Sequence, residues 1–344
     1  MKKKLKIGIL CLSFVLLTGI FLGFAQALLQ PKYMTSSQEG ALIAEYYREN
    51  RYDHDVLFVG DCEVYENFTP PTLWEEYGIT SYIRGSAQQL AWQSYYLLEE
   101  MLQYETPRVV VFNVLSLKYG EPQNEAYNRM TLDGMRLSKT KLHAIQASMT
   151  EEESFASYLI PLLRFHSRWK EIGEEDFHYL FSKDAVSHNG YLMQTGVKGG
   201  YSDIEPSPLA DYTLPTTSMA YLEKMRVLCE ENGVELVLIK APTNNWKYYW
   251  FDEWDEQVSA YAEANGLAYY NFIPQADEIG IDWETDTYDA GVHLNVYGAE
   301  KLTSYFGEIL ARDFGLEDRR SDAELSKIWE EKRIAYYEQR NGTS

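Results

Sequence analysis

The chain has 344 residues, 45% of them hydrophobic and 15% aromatic. Roughly 310 follow the N-terminal apolar segment, enough for one large α/β domain with insertions or for two smaller domains. Beyond the four lysines that precede that segment, 27 basic residues face 52 acidic ones, a balance that argues against nucleic acid or anionic lipid as partners.

Lys2, Lys3, Lys4 and Lys6 lead into an uncharged apolar run over 7–29, long enough to cross a bilayer as a helix. The basic flank places residues 1–6 in the cytoplasm and sends the rest outward. A single-pass signal anchor in the cell membrane, with an extracytoplasmic main domain, is the expectation. The rival is a cleaved signal peptide, because Ala25-Gln26-Ala27 has the small-x-small pattern. A tether and helix fill 30–50, the helix over 39–50. The main domain takes 51–316, and a charged amphipathic helix lies within 317–344.

Inside the main domain, Val56-Leu57-Phe58-Val59-Gly60 reads as a strand buried on both faces. A weaker strand over 79–83, a helix over 86–104 and a second buried strand over 108–113 follow. The region 120–217 breaks this rhythm; it is aromatic, Gly-punctuated and helical over 154–172. It reads as an insertion over the C-terminal edge of the sheet, where ligands bind in open α/β folds. Then a helix (218–232), a strand (235–239), a helix (252–265), a strand (267–272) and a helix (296–313) restore the alternation. Glycines stop two of the helices. Such alternation predicts a mostly parallel sheet of about five strands flanked by helices, with Gly60, Asn113 and Lys240 at its C-terminal edge.

Two stretches carry chemistry. The first strand runs into Gly60-Asp61-Cys62-Glu63, and a late segment reads Asp289-Ala290-Gly291-Val292-His293-Leu294-Asn295 just ahead of a helix. Their order and content resemble the first and last blocks of the SGNH/GDSL hydrolase superfamily. That resemblance, over about 55–113 and 234–313, implies an SGNH-hydrolase-like, flavodoxin-like α/β fold. It also implies a nucleophile at Cys62, a general base at His293 and an orienting acid at Asp289. The oxyanion hole would be made by Cys62, Gly85 and Asn113. An N-terminal anchor with an exported domain is similar to the branch of DltD-like proteins and alginate acetyltransferases. By that analogy the chain is an esterase or O-acyltransferase acting on acyl groups of cell-envelope polysaccharide, with a membrane-bound O-acyltransferase as partner. No cofactor is implied.

The sequence departs from the family pattern twice. Cys62 stands where Ser is usual, and the carboxylate-to-histidine spacing is one residue longer. Asp61, Glu63 and Glu66 crowd the thiol and oppose thiolate formation. A non-catalytic member of the fold, serving as a binding or assembly factor for polymer modification, is therefore the alternative. A third reading is an unrelated exported binding protein with chance motifs. Cys62 could equally be a small buried strand-end residue, and it could pair with Cys229 across an oxidising compartment. The histidines other than His293 show no metal-ligand spacing, so no metal site is expected.

Overall fold

The computed structural model describes residues 2–30, 40–182, 185–200, 208–244 and 250–342. The expected tether falls largely outside them. Five apolar runs form β1 (Val56–Gly60), β2 (Ser81–Gly85), β3 (Val109–Asn113), β4 (Glu235–Lys240) and β5 (Ala268–Asn271). They pair in parallel in the order β2-β1-β3-β4-β5, the flavodoxin-like doubly wound order. Register sets Gly60 beside Gly85, and Asn113 beside Ile239. The C-terminal ends of β1 to β4 thus share one edge.

Side-chain alternation sorts the strands into two cores. Val56, Phe58, Val111, Val237 and Ile239 face Leu73 of the helix Pro70–Tyr77 and Leu302, Phe306 and Leu310 of the helix Val296–Asp313. Leu57, Val59, Val110, Phe112 and Leu238 face the helices Ala91–Met101, Thr216–Glu231 and Asp252–Asn265. Each fully buried Val, Leu or Phe is worth about 1.5–3 kcal/mol, so the three central strands anchor the domain. Gly266, at φ 65°, ends the helix Asp252–Asn265 with the left-handed residue anticipated there. The C-terminal helix Ala323–Arg340 packs through Trp329, stacked on Trp74 at 5.5 Å.

Some expectations change. The predicted helix over 39–50 is a single α-turn, Ala41–Ala44, followed by a 3₁₀ turn, Glu45–Arg48. The predicted helix over 154–172 divides into Phe155–Leu159, Leu162–Phe165 and a 3₁₀ turn, His166–Lys170. Pro161 causes the first break, since it lacks an N–H and disfavours helical backbone in the residue before it. The insertion's helices Glu125–Leu132 and Lys139–Ser148 pack beside the helix Ala91–Met101 through Leu97, Leu132 and Ile145, and the first touches the sheet edge where Thr131 Oγ1 meets Ser86 Oγ at 2.5 Å, just past β2. The insertion's later segment also reaches the edge. Leu192 N–H donates to Tyr65 O, and Val296 N–H to Gln194 O.

The N-terminal segment is one helix, Lys2–Leu29, about 42 Å long at the α-helical rise. It is apolar and exposed over most of its length, and long enough to serve as a membrane anchor or signal sequence.

Candidate active site

β1 ends at Gly60, and the chain turns at once into the short helix Cys62–Tyr65. Asp61 caps it, its Oδ1 accepting Glu63 N–H at 3.2 Å. Cys62 is the first helical residue, so its N–H has no acceptor within the helix. The turn lies tight on β2. A Cβ at Gly85 would come within 3.0 Å of Gly60 O and of Tyr65 Cδ1, so a larger residue there would push the Cys62 turn outward.

The second half of the site comes from the loop before the helix Val296–Asp313. Asp289 and His293 lie four residues apart, and the intervening Ala290 and Gly291 take left-handed φ values of 63° and 86°. That double turn folds the loop back on itself. Asp289 Oδ1 accepts His293 N–H at 2.8 Å, and Oδ2 lies 2.7 Å from the ring Nδ1. Thr287 Oγ1 donates to His293 O at 2.7 Å, and Leu294 N–H donates to Asn67 Oδ1 at 2.9 Å. The backbone that carries the imidazole is held at His293 O and at Leu294 N–H. The ring Nε2 lies 3.0 Å from Cys62 Sγ, across 231 residues of chain. The longer carboxylate-to-histidine spacing is thus absorbed by backbone conformation.

Asn113 is at the strand end, but its amide does not point into the cleft. Nδ2 donates to Asp61 Oδ1 at 2.9 Å and to Glu63 Oε2 at 3.0 Å, using both protons. In this arrangement Asn113 braces the Cys62 turn from below, and the oxyanion role anticipated for it has no free donor. Gly85, beside the turn, is accounted for by close packing.

Three further groups join the site: Lys240 and Glu66, which the sequence placed near it without partners, and Tyr288, which it did not single out. Lys240, at the end of β4, is fully buried, and its Nζ donates to Glu63 Oε1 at 2.8 Å, Glu63 Oε2 at 2.9 Å and Ala241 O at 2.8 Å. A lysine closing a buried apolar strand requires such a partner, and that was the available signal. Glu66 stands 3.6 Å from His293 Nδ1, and its Oε2 accepts the Tyr288 hydroxyl at 2.8 Å. The Tyr288 ring stacks on the imidazole at 6.2 Å. Cys62 and Glu66 are spaced i and i+4, which would place them on one helical face.

These neighbours set the proton affinities. Burial pushes the Cys62 thiol up to about 11; His293 pulls it down, while Asp61 and Glu66 push further up. Burial also opposes charge on His293, but the sulfur, Asp289 and Glu66 outweigh it and hold the ring well above its ordinary value. With the thiol neutral near pH 7, the two carboxylates are the cause that persists. Asp289 is held low: burial would raise it, but hydrogen bonds and charge from His293 prevail. Burial and Glu63 raise Asp61 to about 6. Burial lowers Lys118 to about 8 despite the nearby charges of Glu63 and Asp61. Cys62, Cys229 and Cys11 are all free thiols, so the Cys62–Cys229 bridge is absent.

No protein-family model matches the chain, and no curated protein matches its sequence. Among solved structures it is similar to a protein assigned to the G-D-S-L lipolytic family from Desulfitobacterium hafniense, at 13% identity and TM-score 0.38, over 76% of this chain and 100% of that one. A protein assigned as an acylhydrolase from Bacteroides fragilis gives 12% and 0.36, over 77% and 89%. A GDSL-like lipase from Bacteroides thetaiotaomicron gives 13% and 0.35, over 75% and 88%. Likeness at this level reaches no further than the fold, and it adds nothing to the sheet order and site geometry already described.

Proposed function

We propose that the chain is an exported, membrane-anchored esterase or O-acyltransferase of the SGNH/GDSL type that works through Cys62, His293 and Asp289. The observation that carries this reading is the continuous contact from Asp289 Oδ2 through the His293 ring to Cys62 Sγ, at 2.7 and 3.0 Å. A nucleophile needs its base within hydrogen-bond reach and the base oriented by a third group. The Cys62 proton passes to Nε2 while Sγ attacks the ester carbonyl carbon. The tetrahedral oxyanion forms beside the Cys62 N–H at the helix start. His293 returns the proton to the departing alkoxide, leaving a thioester on Cys62. Water, or an acceptor hydroxyl, then loses a proton to Nε2 and attacks the thioester, and the departing Sγ takes that proton back from Nε2. Water gives hydrolysis; a hydroxyl of a cell-envelope polysaccharide gives transfer, with a membrane-bound O-acyltransferase as the supplier of acyl groups. The four lysines at the start of the N-terminal helix support an extracytoplasmic domain on the cell membrane.

The test is acylation of the full-length protein by p-nitrophenyl acetate, read by intact mass. One acetyl group on Cys62 is expected, absent in Cys62→Ala and strongly slowed in His293→Ala. Cys62→Ser should keep part of the turnover. Alkylation of Cys62 at the same rate in wild type and His293→Ala would overturn the relay.

The thiol raised to about 11 among carboxylates favours a second reading, a binding or assembly factor of the same fold. That reading holds if no acyl group reaches Cys62 while the folded protein retains polysaccharide.

A further inference from the structure

Outside the anchor helix, 12 large apolar side chains are exposed among the described residues, and six of them fall within 155–181. They include Ile160, Leu163, Trp169, Phe177 and Phe181, with Phe181 86% exposed. The others are dispersed singly, as on any protein surface. The same stretch holds the end of the anchor. The last turns of Lys2–Leu29 pack against Leu162–Phe165, His166–Lys170 and Glu174–Phe181. Arg168 Nη1 donates to Leu29 O at 2.9 Å, capping the helix C-terminus, while Nη2 holds Asp176 at 3.0 Å. The domain is therefore fastened at the point where the apolar helix ends, and its exposed aromatic cluster stands at that level.

We infer that residues 155–181 form an interfacial foot that inserts its apolar side chains into the bilayer beside the anchor. The occupant follows from continuity: a helix able to cross a membrane is clasped by this segment, so the lipid surface around that helix must lie against it. The side chains suit that depth, with indole and phenyl rings at the boundary between acyl chains and headgroups. The arginines contribute little net charge to lipid, since Arg164 pairs with Glu125 at 3.0 Å and Arg168 with Asp176. The attachment is apolar, consistent with a domain too acidic to be drawn to anionic lipid. It requires only that the anchor helix stay attached and sit in a membrane, and it is independent of the chemistry at Cys62.

The experiment reconstitutes the full chain into nanodiscs of phosphatidylcholine carrying a photoactivatable group in one acyl chain, with adducts mapped by peptide mass spectrometry. Adducts are expected in 155–181 as well as in the anchor. The triple variant Trp169→Asp, Phe177→Asp, Phe181→Asp should lose about tenfold of the former, as expected when buried apolar area is removed from the interface, and keep the latter. Adducts confined to the anchor in the unaltered protein would overturn the inference. So would chain-to-chain cross-links through these side chains in place of lipid adducts, which would make the patch a self-association surface.

Discussion

Two buried ion pairs lie in the sheet, and they invite comparison. Arg84, in β2, meets Glu100 at 2.8 Å; Lys240, ending β4, meets Glu63 at the same distance. In each pair the cation is fully buried and the carboxylate nearly so. Arg84 is enclosed by Tyr46 and Tyr47, whose rings lie 4.8 and 5.0 Å from its guanidinium. The Tyr47 hydroxyl completes the cluster, receiving Arg84 Nη2 at 3.0 Å and donating to Glu100 at 2.5 Å. Lys240 and Glu63 instead lie under a thiol and an imidazole that are both half-buried. Charge burial alone is common to both and says nothing of chemistry. What separates them is a thiol and an imidazole brought together above one pair and only aromatic packing around the other.

The largest expected effect would divide them outright. His293→Ala should lower acyl-ester turnover by about 10³-fold, with little change in the denaturant midpoint. Arg84→Ala should leave turnover per folded molecule unchanged. Loss of activity in folded Arg84→Ala would erase the distinction.

Next in size, removing either cation leaves a buried carboxylate without its partner, at a cost of about 3–5 kcal/mol. Lys240→Ala and Arg84→Ala should therefore both lower stability in urea unfolding. Lys240→Ala should also slow alkylation of Cys62, because Glu63 is then an uncompensated charge near the sulfur. The double variant Lys240→Met, Glu63→Gln should recover much of the stability.

A subtler contrast is in pH. In the proposed mechanism the Cys62–His293 pair reacts after losing one proton, and the thiol and the ring both sit above their ordinary values. Acylation should then climb with pH beyond 7 rather than level off near an ordinary histidine pKa of about 6.5. For stability the sign differs by group. The raised His293 stabilises the fold at pH below its unfolded pKa, and that contribution is lost as pH rises through the folded one. The depressed Asp289 contributes above its unfolded pKa and is lost as pH falls through its folded value. A rate plateau already at pH 7 would mean that Glu66 and Asp289 do not hold the imidazolium.

The smallest effect concerns the cap. Asp61→Asn keeps an oxygen for Glu63 N–H and Asn113 but removes a negative charge beside the thiol. Cys62 alkylation at pH 8 should quicken by a few-fold, about the size of a single partly screened charge interaction. An unchanged rate would show that burial, not Asp61, governs the thiol.

Much of this molecule could be read along the chain. Strands buried on both faces must be apolar throughout, so β1, β3 and β4 stand out as continuous runs; the N-terminal helix is legible as an anchor or signal sequence because a bilayer demands some twenty apolar residues. The Cys62, Asp289 and His293 segments were visible as motifs. Other features were encoded but passed over: Pro161 marks the break in the predicted helix over 154–172, and Pro70-Pro71 opens a helix at its first turn.

What the sequence determined by itself is therefore local: backbone propensity, burial pattern and the identity of the groups in the candidate site. Tertiary structure decided the partners. Lys240 finds Glu63 across 177 residues, and His293 finds Cys62 across 231. Asn113 spends both amide protons on carboxylates that only the sheet edge brings near it. Glu66 and Tyr288 become neighbours of the imidazole through a loop whose left-handed turn at Ala290 and Gly291 is held by tertiary contacts. Hydrogen bonds and charges act over a few Å, and distance along the chain does not reveal which groups folding will bring within that range.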